Sequence, residues 1–388
     1  MQVWDAGNDA SIQFDWMAEA RRYNSVPRTV ATMTENANLT TGLLKRLEEI
    51  DDDKSLLSNT KVASIEMGQD DPEGLDLSNW PVLNLESASS GTPSKIAARL
   101  LVGADGPNSP VRTFAGINSY GWDYNRHGVV ATLKVDNPEF LEQSGAIVAY
   151  QRFVPELGGP IAILPLPDGH ASLVWSTTPV HASYLKTLSS QDFVSMVNAA
   201  LRLEQADLKY MLSMNTKVTG EHEEELQWRG KTLSHHSIPP VPRVTGVQEG
   251  SVASFPLRLR HATTLTGPRI ALVGDAAHTV HPLAGQGLNL GLTDARSLAE
   301  TIAYSVEHGM DIGDSMALER YGSDRFGKGL LMCGGVDALN WMYQLGTGDG
   351  IMSNVLSSAR GMGMKFFGSS LAEQTGLKSR IMRVAEGS

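Results

Sequence analysis

The residues best placed to do chemistry in this 388-residue chain gather in one run, Arg269–Gly291, RIALVGDAAHTVHPLAGQGLNLG. An apolar stretch, Ile270–Val273, leads into Gly274-Asp275. A loop containing Pro282 follows, then Gly285-Gln286-Gly287, then Leu288-Asn289 at the opening of a helical pattern. Strand, turn, carboxylate, glycines and helix in that order present backbone N–H groups and one acid to a large anionic cofactor. Gly274 lets the main chain approach closely. The Asp275 carboxylate can accept hydrogen bonds from sugar-like hydroxyls, and Gly285 and Gly287 leave room for a flat ring. The helix end turns unpaired N–H groups and a positive dipole outward, a natural stabiliser of negative charge. The bland alternative is a strand–loop–helix with turn glycines. The length and internal order of the run favour the cofactor reading.

A second turn, Asp105-Gly106, ends the apolar stretch LLVGADG. Asp105 either contacts a cofactor or caps the next turn. Arg112 either binds a phosphate or makes a surface pair. His278 and His281 flank the loop of the first run, where a metal site would want a third ligand. They read as hydrogen-bonded loop residues, not catalysts, and His235-His236 reads as solvated. No metal site and no catalytic acid or base is legible. Cys333 is the single cysteine, so no intramolecular disulfide can form; it reads as a buried thiol in a reducing compartment.

Positioning these residues takes more than one core. The length suits two intimately packed domains. A helix is expected over Glu35–Ile50, with Leu39, Leu43, Leu44 and Leu47 at helical spacing. Strands are expected near Lys61–Met67, Val82–Glu86 and Lys95–Val102. A second set, Val129–Val135, Ile147–Val154, Pro160–Pro165 and Ala171–Thr177, has the turn Pro167-Asp168-Gly169 between its last two members. That set reads as an antiparallel sheet carrying the Ser189–Leu203 helix. Glu221–Gly250 reads as a linker. Leu288, Leu292, Ala295, Leu298, Ala299 and Ile302 outline one helix face, and Met316–Tyr343 continues helical. The fold class is α/β plus α+β: a three-layer, Rossmann-like cofactor domain with an antiparallel-sheet substrate domain and a helical C-terminal tail. Residues 1–125 and 257–310 are assigned to the first domain, 126–256 to the second and 311–388 to the tail. Phe153, Leu164 and Trp175 lie on strands of the second domain, as core residues or as the wall of an apolar substrate site. The net charge of −11 argues against nucleic acid as the main partner. No run reaches the roughly 20 apolar residues of a spanning helix. The run Met362–Phe367, MGMKFF, suits a membrane surface, a partner or ordinary helix packing.

GDAAHTVHPLAGQGLNLGLTDA resembles the second FAD-binding signature of the class A, para-hydroxybenzoate hydroxylase-like flavin monooxygenases, and LLVGADGPNSPVR resembles their Asp-Gly motif. The wording is closer still to the ubiquinone-biosynthesis hydroxylases. GPIAILPLPDGHASLVWST matches their substrate-domain hairpin, and MQVWDA, YQRFVP and PPVPRV resemble the eukaryotic mitochondrial ring hydroxylase of that pathway. The resemblance covers nearly the whole chain. It implies FAD as cofactor, with contacts at Asp105, Gly106, Gly274, Asp275, Pro282 and Gly285–Asn289. It further implies hydroxylation of a polyprenylated hydroxybenzoate or phenol using O2, and electrons from NAD(P)H or a ferredoxin system. It places the protein in a ubiquinone-biosynthesis complex, peripheral on the matrix side of the mitochondrial inner membrane. The G-x-G-x-x-G unit that holds the ADP part of FAD in such enzymes does not occur in this sequence. Asn36 and Thr40 stand at a helix position that often carries Arg and Gln near the flavin. The simplest expectation is that Met1 is an internal methionine of a longer protein. The competing reading is a truncated, catalytically silent chain acting as an interaction subunit; another is a different class A flavin hydroxylase or epoxidase.

Overall fold

A computed structural model describes residues 1–7, 10–15, 31–51, 56–70, 72–87, 94–136, 142–143, 146–214, 216, 218–231, 241–282, 285–344 and 362. The chain divides into two compact units. One comprises Met1–Thr34, Asp123–Leu257 and Ala338–Ser388, the other Glu35–Trp122 and Arg258–Asp337. Among the described residues three elements run across the division without a break, the strands Ser119–Val135 and Ala253–Ala262 and the helix Ser315–Gln344. Gln2–Asp5 and Ser11–Gln13 belong with the antiparallel sheet, whereas the sequence reading had assigned them to the cofactor domain. The reason is pairing: Gln2–Asp5 lies parallel to Tyr150–Val154, with Gln2 opposite Tyr150, a partner almost 150 residues away that no local pattern announces. Residues 311–337 likewise pack in the cofactor-motif unit instead of forming a separate tail.

In the first unit the strands lie in the order Ser119–Val135, His170–Thr177, Gly159–Pro165, Tyr150–Val154, Gln2–Asp5, Ser11–Gln13. The Pro167–Gly169 turn closes the central hairpin, with Asp168 and Gly169 both at positive φ (57° and 69°), the pair a type I′ turn requires. Strand alternation then sorts the side chains. Ile161, Ile163, Leu173, Trp175 and Leu133 are fully buried, sharing one core with Phe193, Met196 and Leu201 of the Ser190–Arg202 helix. Burying each such side chain contributes about 2–3 kcal/mol. Trp175 is therefore a core residue of the helix-covered face. Leu164 pairs with Ser172 and Phe153 with Pro160, in the alternate register that turns them to the other face of the sheet.

The expected linker Glu221–Gly250 contains a helix, Glu221–Gly230, and a strand, Val244–Val247. Among the helix residues only His222 is buried, so no apolar period marks it. Its register is set by charge: Glu221, Glu223 and Glu224 in the first turn and Arg229 in the last suit the helix dipole. The stretch 232–240, with His235-His236 and Pro239-Pro240, and the tail from 345 onward, apart from Met362, lie outside the described residues.

The second unit holds the parallel pair Leu101–Gly103 and Ile270–Leu272, and a separate three-stranded sheet of Thr60–Met67, Pro81–Ser87 and Ser94–Ala97. Its core includes Leu101, Val111, Leu265, Leu272, Leu298, Leu318 and Tyr321. The helix expected at Glu35–Ile50 forms over Asn36–Asp51, but Leu43 and Leu44 are exposed.

Asn198 joins helix to sheet in the first unit. Its buried amide donates to the Val244 carbonyl (2.8 Å) and its Oδ1 accepts from the Val244 N–H (3.0 Å), substituting for a neighbouring strand. Asn198→Leu would leave both backbone groups unpaired, each costing about 1–3 kcal/mol. The expected outcome is a loss of about 3 kcal/mol in urea unfolding.

Candidate cofactor site

The two motifs leave the ends of adjacent parallel strands. Gly103 sits opposite Leu272, and the Val273 N–H donates to the Gly103 carbonyl at 3.0 Å. The carboxyl edge of a parallel sheet is where α/β proteins place ligands. On one strand follows Asp105-Gly106, with Gly106 at φ 86°. On the other follows the 3-10 turn Gly274–Ala276, with Gly274 at φ 60°. Arg112 staples the two turns together: Nη1 donates to the Ala276 carbonyl (2.8 Å) and Nη2 to that of Pro107 (2.7 Å). Its sequence readings, a phosphate contact or a surface pair, give way to this clamp.

Asp105 accepts the Val111 N–H at 3.0 Å, and Ser109 accepts that of Arg112 at 2.9 Å, so together they cap the short Pro110–Phe114 helix. This is the capping alternative for Asp105. Its carboxylate remains exposed beside the turn.

The Gly274 turn rests on the long helix Gln286–Glu307. A β-carbon on Gly291 would lie 3.3 Å from the Gly274 Cα, so glycine at 291 lets helix and turn touch main chain to main chain. Below the contact is Asp294, wholly buried. Its Oδ2 accepts the Gly274 N–H at 3.0 Å and lies 2.7 Å from His278 Nε2; its Oδ1 accepts from Arg325 Nε at 2.8 Å. Burial alone would raise the Asp294 carboxyl; contacts with His278, Arg325 and the Gly274 N–H outweigh it and hold the group below the ordinary carboxylate range. The expected apolar helix face is displaced as a result. Gln286, Leu290, Asp294, Leu298, Thr301 and Ser305 are buried, whereas Leu288 and Leu292 are exposed. The need to bring Asp294 beneath Gly274 and beside Arg325 overrides the hydrophobic pattern.

Above the network the helix opens with no side-chain cap. Its N-cap is Gly285 at φ 61°, reached by a turn in which the Gly285 N–H donates to the Pro282 carbonyl at 3.1 Å. No atom lies within 4 Å of where a Gly285 β-carbon would stand. Leu288 and Asn289 are exposed; Gln286 is buried and accepts from the Asn289 amide at 3.4 Å. Asp275 has an exposed surface, yet the protein around it raises its carboxyl, partly offset by His278. The arrangement offers uncapped N–H groups, an open glycine turn and one carboxylate. These are groups of the kind that the hydroxyls and the polar ring edge of a flavin would need.

Residues 81–327 match the model of the FAD binding domain family. The ubiquinone biosynthesis monooxygenase COQ6 of Schizosaccharomyces pombe is 42% identical over 278 residues, 71% of this chain and 55% of that protein. Its namesake in Saccharomyces cerevisiae is 40% identical over 80% of this chain and 64% of that protein, and in Xenopus tropicalis 36% identical over 88% and 68%. The chain belongs to the COQ6 family of FAD binding domain proteins. It spans less than two thirds of the length of the two yeast relatives. Among solved structures it resembles p-nitrophenol 4-monooxygenase PnpA of Pseudomonas putida (TM-score 0.62, 18% identical, 99% of this chain and 80% of that one). It also resembles Klebsiella pneumoniae HpxO, solved with FAD and uric acid (0.57, 15%, 99% and 78%). These likenesses show a shared fold, and the FAD binding domain match gives FAD as the cofactor of the family.

Sequence reading missed Arg325 and the role of Asp294, although Asp294 stands inside the quoted flavin motif. The available signal was a carboxylate among apolar helix positions. Two outcomes follow for this family member. Asp294→Asn keeps the shape but leaves Arg325 buried without a counter-charge; urea unfolding should show a loss of about 3 kcal/mol, and a loss under about 1 kcal/mol would remove the network from its central place. The second concerns His281, which burial holds down to about 4, against about 6.5 in an unfolded chain. Between those values the unfolded chain binds a proton that the folded one refuses. Stability from this residue is therefore present above pH 6.5 and declines as pH falls toward 4, by roughly 3 kcal/mol. Urea midpoints at pH 7 and 4.5 should converge in His281→Asn relative to the parent.

Proposed function

We propose that this chain serves as an FAD-dependent monooxygenase that hydroxylates the aromatic ring of a polyprenylated hydroxybenzoate or phenol in ubiquinone biosynthesis. The observation that carries the reading is the pair of turns on adjacent parallel strands, facing an uncapped helix that begins at Gly285. Support comes from the COQ6 relatives, each named as a ubiquinone biosynthesis monooxygenase of mitochondria.

FAD, when bound, supplies the activation of O2 and the transfer of one oxygen atom to the ring. The chain's own residues bind and orient. The Asp275 carboxylate holds hydroxyls of the ribityl chain. Backbone N–H groups of Gly287 and Leu288, aided by the helix dipole, favour negative charge at the polar edge of the ring. Asp105 and Gly106 border the same carboxyl edge, and Pro282 shapes the loop that leads to Gly285. Phe153 and Leu164, on the sheet face away from the helices, form an apolar wall for a prenyl tail; Trp175 supports that wall from the core side. Electrons come from NAD(P)H or a ferredoxin system. The site of action is the matrix side of the mitochondrial inner membrane, as a peripheral protein beside other enzymes of the pathway. No helix among the described residues is long and apolar enough to cross a membrane.

The test is reconstitution of the purified chain with FAD, followed by chemical reduction and exposure to O2 with a short-prenyl 4-hydroxybenzoate. The expected result is a yellow complex and a hydroxylated product. A chain that takes up no FAD under any reconstitution condition would overturn the proposal and favour the interaction-subunit reading. Asp275 is exposed, so Asp275→Ala should leave stability unchanged while weakening FAD binding about tenfold to a hundredfold, the value of one or two charge-assisted hydrogen bonds.

A further inference from the structure

The sheet face that the proposed function gives to the substrate carries a half-buried cation with no carboxylate beside it, Arg126. Strand register defines that face. Leu164 stands opposite Ser172, Ser172 opposite Thr132, Val174 opposite Val130 and Ser176 opposite Gly128. These positions alternate with the core residues packed against the Ser190–Arg202 helix. Arg126 comes two residues before Gly128 on the same strand, so alternation turns it to the same side. A shared acceptor agrees: the Gly158 carbonyl is reached by Arg126 Nε at 3.2 Å and by Ser176 Oγ at 3.5 Å. All of these residues belong to one unit.

The backbone is shaped around this side chain. Gly158 and Gly159 lie at φ 106° and 143°, conformations that favour glycine. A β-carbon on Gly158 would stand 3.0 Å from Arg126 Nε, and one on Gly159 2.9 Å from Ser176 Oγ. Two consecutive glycines therefore leave room for Arg126 and Ser176 at this end of the sheet.

The charge of Arg126 is not matched by the protein. Its Nε and Nη1 donate to main-chain carbonyls, those of Gly158 and of Asn125 (3.1 Å). Burial lowers the guanidinium from its ordinary value, and no carboxylate among the described residues draws it back. His181 brings no negative charge. Burial first and Arg126 second push its pKa down, and its Nδ1 lies 3.4 Å from Thr177 Oγ1. A neutral donor would serve the Gly158 carbonyl without desolvating a charge, so tying strand to turn does not account for an arginine here. The guanidinium has five N–H donors in a planar fork, and two bonds to carbonyls leave donors for an anion. A hydroxybenzoate and the phenol derived from it differ by one carboxylate. An apolar wall of Phe153 and Leu164 cannot tell them apart, whereas a half-buried guanidinium can.

We infer that Arg126 is a specificity-determining residue whose guanidinium receives a carboxylate carried by the aromatic substrate, so that this site takes the prenylated hydroxybenzoate and not the corresponding phenol. The inference deepens the proposed function and rests on its assignment of this sheet face to the substrate.

The experiment measures binding by equilibrium dialysis of the full chain, without turnover, against three ligands: a short-prenyl 4-hydroxybenzoate, its carboxamide, and the corresponding prenylphenol. The parent should bind the carboxylate about tenfold to a hundredfold more tightly than either neutral ligand, the value of one or two charge-assisted hydrogen bonds. Arg126→Gln should lose that preference and bind the two neutral ligands as the parent does, a split that a merely structural role would not produce. Should Arg126→Gln fail to fold, Arg126→Lys keeps the charge without the fork and should weaken the carboxylate alone. Equal binding of all three ligands by the parent overturns the inference, as does a variant that weakens all three alike. A parent that binds none of them overturns the substrate reading of the proposed function, and this inference with it. Failure to take up FAD leaves the dialysis readable, so the two failures are distinguishable.

Discussion

Gly274 stands where a parallel strand runs out of partners, and its N–H must find an acceptor inside the protein. The Asp294 carboxylate supplies it from a helix that begins twelve residues further on. A buried carboxylate carries a desolvation cost of several kcal/mol, offset here by Arg325 on one oxygen and by His278 and the Gly274 N–H on the other. A hydrophobic residue at 294 would avoid the desolvation but would strand both the Gly274 N–H and the Arg325 guanidinium. The charge is retained because it ties together three pieces of chain: the turn, the Gln286–Glu307 helix and the Ser315–Gln344 helix. Tyr321 adds a further tie between strand and helix, donating to the Leu272 carbonyl at 2.6 Å two residues before Gly274.

That tie sets where everything above it can sit. With Asp294 turned inward, the helix must present the opposite side of its first turns to the surface, and Leu288, Asn289 and Leu292 are exposed for that reason. Arg112 then fixes the second turn against the first by donating to carbonyls of both. Two loops that could wander independently are thus held to one geometry, which is what orientation of a large cofactor demands.

What could be read from the sequence, and what could not, follows the range of the interactions. Turn chemistry is local, so Gly274, Gly285 and the Pro167–Gly169 turn were legible from residue type alone. Strand periodicity is nearly local, and the central strands of the first unit lie close to their expected places. The Asp294–Arg325 pair spans 31 residues and the Gln2–Tyr150 pairing far more; neither leaves a periodic trace. The Glu221–Gly230 helix buries one residue and owes its ends to charge, so a search for apolar period passes over it. Trp175 shows a different limit. Its strand was legible, but which face of that strand meets the helices depends on register with Ile161 and Val129.

The helix start at Gly285 shows how stability and binding are reconciled at this site. A Ser, Asp or Asn at the N-cap would satisfy one of the first N–H groups with its own side chain, and glycine sacrifices only a few tenths of a kcal/mol relative to them. The sacrifice is small because the helix does not depend on its cap: Leu290, Asp294 and Leu298 already anchor it to the core. Anchorage from below therefore frees the N-terminal N–H groups above for an external acceptor. A ligand with negative charge at its polar edge gains both those groups and about half a unit of positive dipole charge, without first displacing a capping side chain. The buried carboxylate and the bare helix end are two sides of one arrangement, since the first makes the second affordable in free energy and keeps it fixed in place.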